Sequence, residues 1–181
     1  LAVESLLRLP MGVGYDVGGH MDYVRYIVET GRLPLAPDGW QMFQAPLYYL
    51  LSAPLYRLTD GAERALRVLP LLCGALQVEL GYRAARLVYP EREDLQAVGT
   101  LFAACLPMSL YLSQSVGNEP LAGALTAGTI VLAWSGAAPL AVGLALGLAL
   151  LAKATAALIV LPVCAWVYAR RRDARAVAVL L

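Results

Sequence analysis

Apolar residues run along this chain in blocks separated by short polar breaks, and the blocks lengthen toward the C-terminal half. The stretches 95–118 and 120–152 contain no Asp, Glu, Lys or Arg. A run of roughly 20 such residues suffices to cross a hydrocarbon core of about 30 Å as a helix. Spans are predicted over about 65–88, 95–112 and 121–135, followed by a shorter helix pair, 140–151 and 155–169, that meets near Lys153. Residues 10–46 are the least hydrophobic part and form one sizeable polar loop, rich in Gly and Pro. Within it Met21, Val24, Ile27 and Val28 recur at helical spacing, which predicts a short helix over 18–31 closed by Gly31 with Pro34 just beyond. Tyr23 and Tyr26 beside charged residues suit that helix to a membrane interface. Segment 47–58 is rich in Tyr and Leu but too short to span, so it reads as a second interfacial helix, followed by a polar break at 59–64.

Composition sharpens this pattern. Hydrophobic residues make up 60% and charged residues 15%, against roughly 45–50% and about 25% in an ordinary soluble domain. The expected fold is therefore all-α, a polytopic transmembrane helical bundle with interfacial helices in its first external loop. Residues 1–181 read as a single transmembrane domain, with 10–63 external and 64–181 helical. The chain opens at Leu1 without Met and stops at Leu181 inside the apolar run 176–181, so a fragment truncated at both ends is expected. Segment 1–9, with Glu4 and Arg8, reads as the outer end of a preceding helix rather than a signal peptide. Net charge is only +1, with basic residues scattered or beside apolar runs, so no nucleic-acid partner is expected. Cys73, Cys105 and Cys164 lie singly in apolar stretches and read as buried small hydrophobes.

Charge placement then sets the topology. Arg83, Arg86 and Arg92 cluster around the loop 89–94, and Arg170, Arg171, Arg172 and Arg175 follow the last long helix. Cytoplasmic loops collect Lys and Arg, and the two basic loops share a side if the helices between them are even in number, as the reading above has them. The loop 10–46, the corner 113–120 and Lys153 then all face the opposite side.

Several residues on that side invite chemistry. Asp16 is a natural helix N-cap, and His20, four residues on, would share its helical face; His20 could orient the carboxylate, ligate a metal or bind phosphate. Asp22 reads as a partner of Arg25 or Tyr26. Glu119 closes a charge-free stretch, where carboxylates mark functional or paired sites. With Asn118 it offers oxygen ligands for a divalent cation such as Mg, Mn or Zn bridging a donor phosphate, or else caps the helix that Pro120 opens. Lys153 is the only lysine among the 14 basic residues. Its ammonium must snorkel to the interface or meet an anion. Arg8, Arg25, Arg32 and Arg57 read as solvated or headgroup-facing, and Glu79 with Arg83 as an i,i+4 pair. Gln44, Pro46, Tyr48 and Tyr49 read as setting the loop's return to the membrane, the tyrosine pair in an aromatic belt. Gln44 is also a candidate donor-binding side chain.

Three segments in order, Tyr15-Asp16-Val17-Gly18-Gly19-His20-Met21-Asp22-Tyr23, then Gly31-Arg32-Leu33-Pro34, then Phe43-Gln44-Ala45-Pro46-Leu47-Tyr48-Tyr49, resemble the GT-C superfamily of polyprenyl-phosphate-dependent glycosyltransferases. The likeness is to its protein mannosyltransferase and aminoarabinose transferase branch. Ser115-Val116-Gly117-Asn118-Glu119 is similar to that branch's acidic second external loop, and the Gly- and Leu-rich run ending at Lys153 to its glycine-rich helix. Val17 stands where many members carry Glu. The resemblance implies an inverting transfer of sugar from a polyprenyl-phosphate donor to a lipid, protein or glycan acceptor. It makes Asp16 the catalytic base, since a carboxylate can take the acceptor's proton and favour positive charge developing on the sugar. His20, Lys153 and Gln44 would bind donor or phosphate, and Glu119 and Asn118 a metal. The Ala-, Leu- and Arg-rich composition points to a bacterium, hence a multi-pass protein of the plasma (inner) membrane, in contact with its lipids, with an extracytoplasmic site. The alternatives are a transporter or flippase, which should show discontinuous helices and ionisable groups near the midplane, and a non-catalytic assembly subunit of the cell envelope.

Overall fold

The computed structural model describes residues 8, 10 and 12–180. All regular elements among the described residues are helical. Segment 1–9, apart from Arg8, and Leu181 lie outside them.

Helix α1 spans Val17–Thr30 and α2 spans Leu47–Leu58. They pack on each other, linked by a loop that includes a 3-10 turn over Ala36–Asp38. The side of α1 that carries Val17, His20, Met21 and Val24 is buried, as its spacing predicts, and Tyr23 lies buried with it. Gly31 ends α1 in the left-handed conformation, φ 68°. The tyrosines depart from expectation. Tyr48 and Tyr49 are 0% exposed and Tyr23 is 2% exposed, so they join the core with Leu66, Val116 and Leu121 rather than forming a belt.

A 3-10 turn, Glu63–Arg67, leads directly into α3, Val68–Val88. Together they make a helix of 26 residues, long and apolar enough to cross a membrane. Its return partner is broken. The predicted span 95–112 is α4, Glu93–Cys105, followed by α5, Pro107–Leu112. Pro107 lacks an amide hydrogen and biases the residue before it away from helical angles, and Leu106 is accordingly extended, with φ −61° and ψ 115°.

Helix α6, Glu119–Ser135, packs on α3 and on α7, Pro139–Ala152. Gly136 turns the chain between them at φ 80°, and Pro139 opens α7 at a helical position where its missing donor costs nothing. At Lys153 the backbone becomes extended, and a 3-10 stretch, Ala154–Ile159, runs into α8, Val160–Arg171. That pair, 18 residues in all, is the second helix long and apolar enough to span. Helix α7 is shorter, and the terminal α9 covers only Ala174–Ala178.

Side-chain contacts give the helices their directions. Helices α3 and α6 run parallel, with Gln77, midway along α3, bonded to the Pro120 carbonyl at the start of α6, and Arg83 and Arg86 lining a groove with Leu132 and Ser135 near the end of α6. Arg170 and Arg171 donate to the carbonyls of Trp134, Gly136 and Ala137, so α8 returns to that same arginine-rich end. Lys153 meets Glu119 at the opposite end. Outward faces are apolar: Leu140, Leu144, Leu148 and Leu151 line α7, and Val98, Leu101 and Phe102 lie exposed on α4. A helix apolar on both faces suits lipid better than water. Cys73 is buried as expected, whereas Cys105, at the end of α4, is exposed, and Cys164 on α8 is half-buried against the cluster of Val142, Val163 and Val167.

Candidate functional site

Asp16 precedes the first turn of α1 in the left-handed region, φ 53° and ψ 22°, a conformation that Asp tolerates better than most residues. Its carboxylate makes no capping bond. Instead Trp40, from the loop between α1 and α2, donates its indole N–H to Oδ1 at 3.3 Å. The Trp40 ring itself is 72% exposed and packs beside Gly19. Asp16 is thus an exposed carboxylate oriented from a different segment, and His20 does not hydrogen-bond it.

One turn later His20 points inward and is 2% exposed. Its Nδ1 lies 2.7 Å from the Tyr49 hydroxyl on α2. Tyr49 stacks on Tyr23, with ring centroids 3.7 Å apart, and edge-on against Tyr48. Burial lowers the His20 pKa below its ordinary 6.5; Glu119 and Asp16 pull it upward and Lys153 pushes it down, but burial outweighs them. The imidazole is therefore neutral at pH 7 and sits within the field of all three charged candidates.

Glu119 opens α6, where a carboxylate also complements the helix dipole. Its Oε1 accepts from Lys153 Nζ at 2.6 Å. Lys153 reaches it because the extended backbone between α7 and the following 3-10 stretch directs the lysine across to α6. Asn118 is 0% exposed and does not cap with its side chain. Its Nδ2 donates to the Ala152 carbonyl at 3.0 Å and to Gln44 Oε1 at 3.3 Å, tying α6, the α7 end and the α1–α2 loop together. Gly117 lets the parts close up: a Cβ there would stand 2.7 Å from Glu119 Oε2 and 3.6 Å from His20 Nε2.

Residues 16, 20, 44, 118, 119 and 153, scattered over the sequence, thus gather at one end of the bundle. Asp22 stands apart, paired with Arg25 at 3.0 Å, while Arg25 also binds Glu63 on the 3-10 turn before α3. Glu79 and Arg83 form the expected helical pair at 2.8 Å, toward the arginine end. A divalent ion does not fit Glu119 as it is paired here, since the Lys153 ammonium already neutralises the carboxylate; no group of three His, Cys, Asp or Glu suited to a metal occurs among the described residues. Asn118 Oδ1 is buried without a partner.

Two contributors are not read as site residues from the sequence: Trp40 carries no signal, and Tyr49 reads as a membrane-belt residue; they act across 24 and 29 residues of chain. The chain matches no protein-family model, no curated protein and no solved structure. What the site does must be argued from its own chemistry.

Proposed function

We propose that this chain is part of a multi-pass membrane glycosyltransferase of the GT-C type, moving a sugar from a polyprenyl-phosphate donor to an acceptor on the extracytoplasmic face. The observation that carries the reading is the gathering of an exposed carboxylate, a neutral imidazole and the only lysine at the end of the bundle opposite Arg83, Arg86, Arg170 and Arg171. A donor whose lipid lies in the membrane needs that chemistry at a membrane surface.

Asp16 takes the proton of the acceptor nucleophile as it attacks the anomeric carbon. The bond from that carbon to the phosphate oxygen breaks in the same displacement, and the configuration inverts. The leaving polyprenyl phosphate keeps the electron pair, and Lys153 and His20 stabilise its charge. Gln44 and Asn118 hold the chain segments that bear them. The remote orientation of the Asp16 carboxylate by Trp40 supports its role as base. On this reading the arginines around the loop 89–94 and after α8 lie on the cytoplasmic side.

The test uses purified protein in nanodiscs with a radiolabelled sugar on polyprenyl phosphate. Transfer of label to acceptor with release of polyprenyl phosphate is expected. Movement of intact donor between the leaflets of a vesicle, without transfer, would instead mark a flippase.

A further inference from the structure

The buried tyrosine cluster between α1 and α2 has no part in the reaction as written above, yet one of its members touches the site. Tyr49 Oη and His20 Nδ1 are 2.7 Å apart, both buried. A neutral imidazole carries one N–H and one acceptor nitrogen, and the bond made by one nitrogen decides the state of the other. Two arrangements satisfy the distance: a phenol donating to Nδ1, or an Nδ1–H donating to the phenol oxygen.

The surroundings choose between them. The Tyr49 ring packs against those of Tyr23, Tyr48 and His20, and the one hydrogen-bond partner of its hydroxyl among the described residues is His20 Nδ1. If Nδ1 carried the hydrogen, the buried phenol's own O–H would lack an acceptor, an unfavourable state for a buried donor. With the phenol as donor, the buried O–H and Nδ1 satisfy each other. The other ring nitrogen, Nε2, then bears the hydrogen and faces Gly117, beside Glu119 Oε2. Burial also keeps the Tyr49 phenol protonated, and it keeps His20 neutral against the pull of Glu119 and Asp16.

We propose that Tyr49 is a positioning residue that locks His20 as the Nε2–H tautomer, so that the imidazole presents an uncharged hydrogen-bond donor to anionic oxygen at the Gly117–Glu119 side of the site. In the donor complex that oxygen belongs to phosphate, and this last step rests on the transferase reading. His20 then neither ligates a metal nor delivers a proton; it shapes the ground for a charge that Lys153 neutralises. Gly117 is needed because any side chain there would stand between the imidazole and the carboxylate.

The test exploits His20 being the only histidine. Protein labelled with 15N-histidine in nanodiscs gives a single imidazole, whose two nitrogen shifts report the tautomer directly. At pH 7 the wild type should show a protonated Nε2 and a hydrogen-bonded, unprotonated Nδ1. Tyr49→Phe removes only the hydroxyl and should give a mixture of tautomers or the Nδ1–H form, whereas Tyr23→Phe, in the same stack, should leave the wild-type pattern. Addition of geranylgeranyl phosphate should shift the Nε2 signal of the wild type. An Nδ1–H or doubly protonated ring in the wild type, or an unchanged tautomer in a folded Tyr49→Phe protein, would overturn the assignment. An Nε2–H tautomer in a protein that transfers no sugar would leave Tyr49 its role and sink the transferase reading alone.

Discussion

At the scale of single residues, the Glu119–Lys153 pair and His20 make the clearest demands. Both members of the pair are mostly shielded, with side chains 32% and 23% exposed, so removing one leaves the other charged and poorly solvated. Lys153→Met should destabilise the protein by about 1–3 kcal/mol, and adding Glu119→Gln should recover part of that loss. A double-mutant cycle of thermal unfolding in detergent measures it, and strict additivity would mean the two groups do not interact. On the proposed function, Lys153→Met also weakens donor binding, while the double variant, though restored in stability, does not regain it.

His20 sets a pH dependence whose sign follows from burial. Its folded-state pKa lies below the ordinary 6.5, so in the window between the two values the unfolded chain binds more protons. Stability is then complete above about pH 6.5 and declines as pH falls through the window. Unfolding followed from pH 7.5 to pH 5.5 should show this decline in the wild type and lose it in His20→Gln. The same slope in both proteins would assign it to other groups.

The sequence made some of these residues conspicuous and hid others for a physical reason. A lone lysine in an apolar run, a carboxylate at the close of a charge-free stretch and a single histidine all stand out because ionisable groups in apolar surroundings require partners. That Lys153 and Glu119 would be each other's partner was not legible, since the pairing crosses 34 residues and depends on the chain reversing at Gly136. Trp40 gave no local sign and Tyr49 read as an interface anchor, because their partners lie in other segments.

At the scale of elements, helical spacing located α1, and the apolar runs located α2, α3 and α6, each to within a few residues, with Pro and Gly near their ends. The continuous span over 95–112 failed at Pro107, where backbone geometry overrode an unbroken apolar pattern. Close helix contact elsewhere depends on small residues, as it does between helices in lipid. A Cβ at Gly81 in α3 would stand 2.9 Å from the Ala103 Cβ in α4, with no flexible side chain to give way. Gly81→Ala should therefore force α3 and α4 apart and cost about 1–3 kcal/mol. Gly147→Ala in α7, where nothing lies within 4 Å of the new Cβ, should be neutral or slightly stabilising through helix propensity. Equal effects from the two substitutions, read by thermal unfolding, would contradict the packing described.

At the scale of the whole molecule, the two ends of the bundle differ in chemistry, and the proposed topology assigns them to opposite sides of a membrane. Single cysteines at the exposed positions Asp38 and Asp60 in a cysteine-free background should react with an impermeant maleimide in intact cells, and one at Asp173 should not. The reverse pattern would move the candidate site to the cytoplasm.

The central claim, a transferase whose base is Asp16, meets its most direct test in Asp16→Asn. The substitution is nearly isosteric, keeps an oxygen for the Trp40 N–H and suits a helix N-terminus as well as Asp does, so fold and donor affinity should stay close to wild type. General-base catalysis is typically worth about 10²–10⁴-fold in rate. Measured in nanodiscs with saturating polyprenyl-phosphate sugar, turnover should fall at least about a hundredfold, with donor binding retained. Near-normal sugar transfer by the Asp16→Asn protein would contradict the account.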